Sequence, residues 1–523
     1  MKKLWLISLG LLLSCNASQR TSDVANTPKS NYDPLPYAAT ILESDLKEML
    51  FTFASDSFQG RNTGSPGQKM AANYIKERYK ALLIPSAKSN GDYFQKVPLQ
   101  GSRLPNVSLQ INGTEYTIEE DFVTYEGPDY LTAEFSKIIY AGYGIETDNY
   151  SDYENLDVTG KVVLIKAGEP KKKDGTYVLS GTKKTTSKWS NIRKAFDSKI
   201  YLAKEKGAAG ILFYDADNFK VLASQYSYRK NRNYGRIRLS KTDKNPFFYF
   251  FINGEIANSL YSEINSKSSQ KALSAKLKAV FNGSEKPIDS ENVIAWIKGS
   301  EKPDEYIVIS AHLDHEGVKN GKIYNGADDD GSGTVAVLEI AEAFQKAAKD
   351  GNGPKRSVVF LHVTAEEKGL FGSEYYTKNP IFPLENTVAN LNTDMIGRVD
   401  EKREGSRNYV YLIGSDRIST ELHTISEEMN TKYTQLVLDY KYNDRKDRLR
   451  LYYRSDHYNF AKNNIPVIFY FNGLHKDYHK PTDTPDRIEY DLLAKRAKLI
   501  FHTAWELANR ENRLVLDKLT QTN

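Results

Sequence analysis

The first clear helical pattern in the chain begins after Ser65. Apolar side chains recur at helical spacing over residues 71–82, and Pro66 suits the first position of a helix. Ser65 can cap this helix, and Gln68 can complete a capping box with it. The pattern therefore predicts a helix that begins at Pro66 and follows the turn-rich residues 55–61.

Short apolar runs separated by turns characterise the middle of the chain. Residues 137–141 and 161–165 have the pattern of strands, and residues 191–206 have the pattern of a helix. Residues 207–214 predict a turn that leads into a buried strand. We therefore predict a β-rich domain in this part of the chain.

From residue 291 onward, strand-like runs alternate with helical patterns. The predicted helices cover residues 334–349 and 493–507. The predicted strands are residues 293–297, 306–310, 358–363, 389–392 and 465–471. This alternation predicts an α/β fold with a mostly parallel, doubly wound sheet that is covered by helices on both faces. In such sheets, functional residues gather at the carboxyl ends of the strands.

Length and charge limit the possible organisation and partners. A chain of 523 residues is too long for one ordinary core, so we predict two domains. One comprises residues 38–100 and 288–515, and the other is inserted between them as residues 101–287. The 72 basic and 67 acidic side chains leave a net charge of +5, which is too small to indicate a nucleic-acid partner.

The first residues have the pattern of an export signal. A charged start is followed by apolar residues 4–13, which are too few to span a bilayer as a permanent helix. The stretch ends in Leu-Leu-Ser-Cys15 and resembles the lipobox of bacterial lipoproteins. The alternative is a plain signal peptide with a chance cysteine. We predict a lipoprotein signal peptide at residues 1–15 and a flexible tether at residues 16–37.

Lipidation of Cys15 would have two consequences. The resemblance implies an exported protein that is anchored in the bacterial cell envelope, on the periplasmic side of the outer membrane or on the cell surface. Because Cys15 is the only cysteine in the chain, no disulfide could form in the mature protein. The fold would then depend on packing and on metal.

Polar side chains follow the predicted strands at the same end of the sheet. They are His312 and Asp314, the acidic run Asp328-Asp329-Asp330, Glu366 and Glu367, Asp394, and the pair Tyr478-His479. Imidazole and carboxylate groups together suit zinc or another divalent transition metal. The sequence therefore predicts a metal site at the carboxyl ends of the strands.

The candidate ligands outnumber those that one metal needs. A single catalytic zinc takes three protein ligands and one water. If one carboxylate bridges, two zinc ions about 3.5–4 Å apart can share a hydroxide between them. Their charge lowers the pKa of the bound water to roughly 7. We therefore predict two Zn²⁺ ions per chain.

The order of these motifs resembles one enzyme family. His-x-Asp, Gly-Ala-Asp-Asp-Asp-Gly-Ser-Gly, Glu-Glu-x-Gly-Leu-x-Gly-Ser, Asp-Met and Tyr-His are similar to the motifs of the di-zinc aminopeptidase family. That family also contains glutamate carboxypeptidase II, the transferrin receptor and glutaminyl cyclase. Residues 140–145, 157–163 and 206–210 resemble the protease-associated domain, a module that is often inserted into secreted peptidases. The resemblance implies a zinc-exopeptidase fold with this domain inserted.

The resemblance also implies the metal ligands. His312 and Asp394 would bind the first zinc, and Asp329 would bridge the two ions. Glu367 and His479 would bind the second zinc.

Three further residues match catalytic or orienting positions of the family. Asp314 would orient the ligand His312 by a hydrogen bond. Glu366 would be the general base that passes a proton from the metal-bound water to the leaving amine. Tyr478 would help to polarise the scissile carbonyl. The sequence gives no role to His315 or His475, and residues 455–457 are interpreted as supporting structure.

The predicted activity is that of a metallo-aminopeptidase acting on peptides with a free N-terminus. One alternative is a glutaminyl cyclase with a single zinc, and another is a non-catalytic binding protein of the envelope. A third is a carboxypeptidase for acidic dipeptides, which would need converging arginines. The candidates for that role are Arg445, Arg448, Arg450 and Arg454. The complete ligand set favours the peptidase, while the preferred N-terminal residue and the oligomeric state stay open.

Overall fold

The computed structural model describes residues 33–518, except residues 103, 191, 232–235, 241–245 and 284. The predictions for Cys15, the signal peptide and most of the tether lie outside the described residues. Across the part of the chain that the structure describes, no helix is both long and apolar enough to cross a membrane.

The helices of the described residues, in chain order, are α1 (Leu35–Ala38), α2 (Glu43–Phe53), α3 (Pro66–Ala81), α4 (Ser187–Ser190), α5 (Ile192–Glu205), α6 (Phe219–Asn231), α7 (Gly254–Leu260), α8 (Gly333–Lys349), α9 (Phe371–Lys378), α10 (Thr420–Met429), α11 (His457–Ala461) and α12 (Tyr490–Asn509). Shorter helical turns cover Asp56–Arg61, Ala327–Ser332, Leu384–Asn386, Asn430–Thr434, Lys441–Asn443, Leu451–Tyr453 and Pro485–Arg487.

The strands of the first half are β1 (Phe94–Ser102), β2 (Val107–Ile111), β3 (Thr114–Tyr116), β4 (Phe122–Val123), β5 (Tyr130–Tyr140), β6 (Glu146–Thr147), β7 (Tyr150–Ser151), β8 (Val162–Lys166), β9 (Gly210–Tyr214), β10 (Arg236–Leu239), β11 (Phe248–Ile252) and β12 (Lys271–Asn282). Those of the second half are β13 (Glu285–Ile297), β14 (Lys302–His312), β15 (Gly317–Lys319), β16 (Lys322–Tyr324), β17 (Arg356–Val363), β18 (Thr387–Thr393), β19 (Tyr409–Ile413), β20 (Val437–Asp439) and β21 (Val467–Phe471).

A nine-stranded sheet forms the centre of the larger domain. Its strand order is β10-β1-β13-β17-β14-β18-β21-β19-β20. The four adjacent strands β17, β14, β18 and β21 are mutually parallel, and they are buried apart from the first four residues of β14. Antiparallel pairs flank this parallel core on both sides. The predicted α/β fold is confirmed, and the strands that carry the candidate ligands belong to its parallel part.

Two long helices cover one face of this sheet. On α8, Val337, Ala341 and Phe344 are fully buried, as their helical spacing predicts. Phe344 packs against Phe501 of α12 with 5.0 Å between ring centroids. Burial of these apolar faces fixes α8, which begins at Gly333, three residues after the acidic run at residues 328–330.

The N-terminal segment packs onto the same domain. Tyr37 stacks on Trp505 with 5.6 Å between ring centroids, so α1, which overlaps the last residues of the predicted tether, packs against α12. The helix predicted from Ser65 is α3, which begins at Pro66. The Ser65 hydroxyl accepts a hydrogen bond from the Gln68 N–H at 3.3 Å, and this is the predicted cap.

The inserted domain has a sheet of its own. Its strand order is β3-β2-β12-β5-β8-β9-β11-β4, and its core is rich in aromatic side chains. The chain enters and leaves this domain through β1 and β13, which pair antiparallel from Phe94↔Val293 to Ser102↔Glu285. β10 lies within the predicted insertion but pairs with β1, so the inserted segment also supplies one edge of the larger sheet.

Candidate metal centre

The parallel strands deliver the predicted site residues to one edge of the sheet. His312 is the last residue of β14, and Asp394 directly follows β18. Glu366 and Glu367 lie just beyond β17, in the turn that leads to α9. The carboxyl ends of these strands coincide because the strands are parallel neighbours. The structure therefore brings together side chains that are far apart in sequence.

A first group of ligand atoms forms around His312. Its Nε2 lies 3.2 Å from Oδ1 of Asp329 and 3.6 Å from Oδ1 of Asp394. All three residues are buried, with 1%, 3% and 7% exposure respectively. These are the residues predicted to bind the first metal.

A second group forms on the other side of Asp329. Nε2 of His479 lies 3.0 Å from Oδ2 of Asp329 and 3.2 Å from Oε2 of Glu367. The two oxygens of the Asp329 carboxylate therefore face different imidazoles, since Oδ1 faces His312 and Oδ2 faces His479. This is the arrangement that a bridging carboxylate requires.

The chemistry of these atoms fits metal ions. Two ligand atoms on one tetrahedral zinc lie about 3.3 Å apart, given bonds of ~2.0–2.1 Å. The nitrogen-to-oxygen distances in both groups are close to this value. Among the described residues, His312 Nε2, Asp329 Oδ2 and Glu367 Oε1 are buried and have no hydrogen-bond partner. Buried polar atoms are normally satisfied, so these three atoms point to cations as their missing partners.

The electrostatics of the site agree with this fit. Burial raises the pKa of the Asp329 carboxyl, but the adjacent imidazoles of His312 and His479 outweigh burial and hold it well below its usual range. Burial lowers the pKa of His479, but the carboxylates of Asp329 and Glu367 raise it to about 10. The carboxylates thus attract positive charge strongly, and metal ions can supply that charge.

Glu366 faces open space beside these ligands. Its side chain lines a cavity that opens to solvent, together with Asp329 and Asp394. Burial raises the pKa of the Glu366 carboxyl well above its usual range, and the charges of Asp394 and Glu367 add to the effect against the opposing charge of His312. A raised pKa is the direction of change that brings a carboxyl group towards the neutral range used in general acid–base catalysis.

The contact between Asp314 and His312 differs from the predicted one. Nδ1 of His312 lies 3.0 Å from the backbone oxygen of Asp314, whereas the nearest Asp314 carboxylate oxygen is 4.0 Å from it. The carboxylate instead accepts hydrogen bonds from the Thr63 hydroxyl at 2.6 Å and from the Glu366 N–H at 3.2 Å. The backbone of Asp314 therefore orients the histidine, because the turn after β14 brings that carbonyl to the ring, and its side chain positions Glu366.

Tyr478 lies at the wall of the cavity. Its ring stacks on His479 with 3.9 Å between centroids, and its hydroxyl accepts a hydrogen bond from Nη2 of Arg454 at 3.3 Å. Burial, followed by the charge of Asp329, raises the pKa of Tyr478, so the hydroxyl keeps its proton and can donate it.

The four candidate arginines do not converge on the site. Within the described chain, Arg454 alone of the four lines the site cavity. Arg445 and Arg450 line a separate cavity that opens to solvent. The arrangement expected of a carboxypeptidase for acidic dipeptides is therefore not formed by these side chains.

Asp483 is a supporting residue that the sequence analysis missed. Its Oδ2 accepts hydrogen bonds from the N–H groups of Asp328 at 3.0 Å and of Asp329 at 3.2 Å. It is fully buried, and burial raises its pKa to about 6. Its position four residues after His479 was the available signal. Asp483 fixes the backbone from which Asp329 projects.

Arg61 is a second supporting residue that was missed. Its guanidinium donates to the backbone oxygens of Phe53 at 3.1 Å, Leu313 at 3.0 Å, Asn325 at 2.7 Å and Gly326 at 2.8 Å. The side chain is almost completely buried. Arg61 thus ties the N-terminal segment to the turn after β14 and to the loop that precedes Asp329.

We expect Arg61→Met to lower the free energy of unfolding by roughly 3 kcal/mol, because several buried carbonyl oxygens lose their donor. Urea unfolding of the metal-free protein measures this change without a contribution from metal binding. The exposed Arg513 serves as the matched control, and Arg513→Met should change stability by less than about 0.5 kcal/mol. Equal stability of the two variants would contradict the supporting role of Arg61.

Several site residues adopt a backbone conformation that is uncommon for side-chain-bearing residues. Ala365, Met395 and His479 have φ values of 57°, 58° and 53°. The first precedes Glu366, the second follows Asp394, and the third is itself a candidate ligand. Such backbone conformations cluster at functional sites, where the surrounding structure enforces them.

The family models agree with this geometry. Residues 292–504 match the model described as Peptidase family M28, and residues 131–241 match the PA domain. The chain carries a domain of peptidase family M28. The predicted family and the predicted inserted domain are therefore confirmed. The M28 match begins within β13 and ends within α12, so it contains every candidate ligand of the metal centre.

Individual relatives resemble the chain more distantly. Leucine aminopeptidase 1 of Penicillium rubens is 29% identical over 42% of this chain and 56% of its own length. Transferrin receptor protein 1 of Gallus gallus is 24% identical over 69% of this chain and 46% of its own length. The chain thus spans about half the length of these curated relatives. An aminopeptidase structure from Aneurinibacillus sp. strain AM-1 covers 93% of this chain and 99% of its own, with 19% identity and a TM-score of 0.46.

Proposed function

We propose that the protein is a zinc-dependent metallo-aminopeptidase that removes residues from the free N-terminus of peptides. The observation that carries this proposal is the Asp329 carboxylate, whose two oxygens face the separate imidazoles of His312 and His479. A site built for two metals explains why Asp394 and Glu367 are both present. A cyclase with a single zinc needs only three protein ligands, so the remaining candidate ligands would have no metal to bind. The name of the Penicillium rubens relative, a leucine aminopeptidase, also supports the proposal.

When bound, a pair of zinc ions supplies Lewis-acid activation of the peptide carbonyl and of water. His312, Asp329 and Asp394 would hold one ion, and Asp329, Glu367 and His479 would hold the other. The protein's own side chains provide the proton transfers and the orientation.

Glu366 is the proton carrier in this proposal. It takes a proton from the water that attacks the carbonyl carbon, and it delivers that proton to the amine as the carbon–nitrogen bond breaks. Asp314 holds Glu366 in position through the Glu366 N–H. Tyr478 donates a hydrogen bond from its protonated hydroxyl to the carbonyl oxygen, where negative charge develops. Arg454 orients that hydroxyl by donating a hydrogen bond to its oxygen.

The side chain of the N-terminal residue would occupy the cavity next to Glu366. The apolar part of its wall is formed by Met395, Leu451, Phe469, Phe471 and Leu474. Such a wall favours a large apolar side chain, because burial of apolar area stabilises the complex by about 25 cal/mol per Å². We therefore propose a preference for substrates with an N-terminal leucine or phenylalanine.

A survey of fluorogenic aminoacyl substrates tests this proposal. We expect leucyl and phenylalanyl substrates to have a kcat/KM at least ~10-fold above those of lysyl and aspartyl substrates. A metal chelator should abolish turnover, and added zinc should restore it. The same preparation is given a peptide with N-terminal glutamine. Cyclisation of that peptide without release of amino acids would replace the peptidase proposal with the cyclase.

We also propose that the protein is exported and anchored in the cell envelope by a lipid on Cys15. The lipobox-like sequence is the support for this proposal. The full-length protein should fractionate with membranes and partition into detergent, whereas Cys15→Ala should remain in the aqueous phase. Identical partitioning of the two forms would contradict the proposed lipid anchor, and it would leave the peptidase proposal unaffected.

A further inference from the structure

His315 is a buried histidine beside the metal centre that the family motifs do not use. It follows β14 by three residues, and its side chain has 0% exposure. Its Nδ1 lies 2.7 Å from Oε1 of Glu367 and 3.7 Å from Oδ2 of Asp329. These three atoms all lie within 4.8 Å of one another, so they could hold one cation between them.

The short distance between His315 and Glu367 does not amount to a hydrogen bond. Within the described part of the chain, neither ring nitrogen of His315 has a hydrogen-bond partner of acceptable geometry, and Oε1 of Glu367 also lacks one. A buried imidazole without partners is costly unless another group satisfies it. A metal ion between them would give Nδ1 of His315 and the two carboxylates a common partner.

The surroundings hold the His315 ring in this orientation. The backbone N–H of His315 donates a hydrogen bond to the backbone oxygen of Arg61 at 3.3 Å. Gly326 packs directly against the ring, and a Cβ atom at this position would lie 2.5 Å from Cγ and Cδ2 of the imidazole. Gly326 also has a φ of 55°, which side-chain-bearing residues rarely adopt. The loop at Gly326, which requires glycine, therefore packs against the Cγ and Cδ2 atoms of the ring, while Nδ1 faces the carboxylates.

A second buried histidine, His457, differs from His315 in what surrounds its ring. Among the described residues, His457 also has no hydrogen-bond partner on either ring nitrogen. Its ring contacts Phe469 at 4.8 Å and Tyr452 at 5.5 Å between centroids. His457 thus has an aromatic environment, whereas His315 faces two carboxylates of the candidate ligand set.

We propose that His315 is an additional metal ligand, which binds through Nδ1 to the ion that Asp329, Glu367 and His479 hold. This inference rests on the proposed function and adds a third imidazole, with His312 and His479, to the metal pair. A second imidazole at this position favours zinc and other transition metals over magnesium or calcium, which prefer oxygen ligands. It should also make the second ion harder to remove.

The test compares His315→Asn with the matched variant His457→Asn. Zinc content is measured by elemental analysis, and the Kd of the second zinc is measured by competition with a chelator. We expect His315→Asn to weaken the second zinc by more than the ~10–100-fold that loss of an outer hydrogen-bonding partner causes. His457→Asn should retain the wild-type Kd. Circular dichroism checks the fold, and His315→Gln is used if His315→Asn is unfolded.

X-ray absorption of the zinc-loaded protein supplies a readout that is independent of activity. We expect three imidazoles per two zinc ions in the wild type and two in His315→Asn. Two imidazoles in both proteins, or an unchanged Kd for the second zinc, would overturn the proposal for His315 and leave the peptidase proposal in place. A wild-type protein that binds no zinc would instead contradict the proposed function itself.

Discussion

Glu366→Gln should lower kcat by ~10²–10⁴-fold while the protein keeps its zinc, because the substitution preserves shape and removes the proton acceptor. Glu366 lines the cavity, and neither of the two ligand-atom groups centred on His312 and His479 includes it. Its loss should therefore leave the metal ligands unchanged. Single-turnover kinetics and elemental analysis of the same sample measure both quantities.

The neighbouring residue supplies the matched control. Glu367→Gln makes the same chemical change one position along the chain, but the Glu367 carboxylate contacts the His479 imidazole at 3.2 Å. We expect this variant to lose zinc, and its activity should recover partly at high zinc concentration. Near-normal turnover in Glu366→Gln, or zinc loss in that variant with retention in Glu367→Gln, would contradict the two assigned roles.

The second large effect concerns Asp329, the proposed bridging carboxylate. Asp329→Ala should reduce zinc content to near zero, because both ligand groups lose an oxygen and the Asp329 carboxylate is the element that they share. His312→Ala should retain roughly one zinc, because the second group keeps all of its proposed ligands. Both variants should lose most of the peptidase activity.

Zinc content measured by elemental analysis separates these outcomes. If Asp329→Ala retained one zinc and His312→Ala retained none, the Asp329 carboxylate would belong to a single metal position and would not bridge. Equal zinc loss in both variants would indicate that the two positions fill cooperatively, and a zinc titration would then resolve the individual affinities.

The sequence was sufficient to predict the positions of the site residues because of strand direction. Apolar runs located β14, β17 and β18 to within a few residues, and the polar side chains that follow them had to meet at one edge of a parallel sheet. The antiparallel flanks could not be predicted in this way. Apolar runs do not indicate the direction of a strand, and the pairing of β1 with β13 depends on where the chain leaves for the inserted domain.

Atomic contacts of the site also depend on information that the sequence pattern does not contain. The sequence predicted that Asp314 would orient His312, but it could not indicate that a backbone oxygen makes this contact. Arg61 lies 252 residues or more from three of the carbonyls that it contacts, so its role appears only after folding. His315 lacked a motif, and its place beside Glu367 follows from the turn after β14.

Zinc content of the wild-type protein, measured together with release of amino acids, tests the central claim most directly. The protein is prepared with limiting free metal, and elemental analysis is performed on the sample that is assayed with leucyl substrate. We expect close to two zinc ions per chain and turnover that follows zinc content. One zinc ion per chain with cyclisation of N-terminal glutamine, or no zinc and no turnover after zinc is supplied, would contradict the central claim.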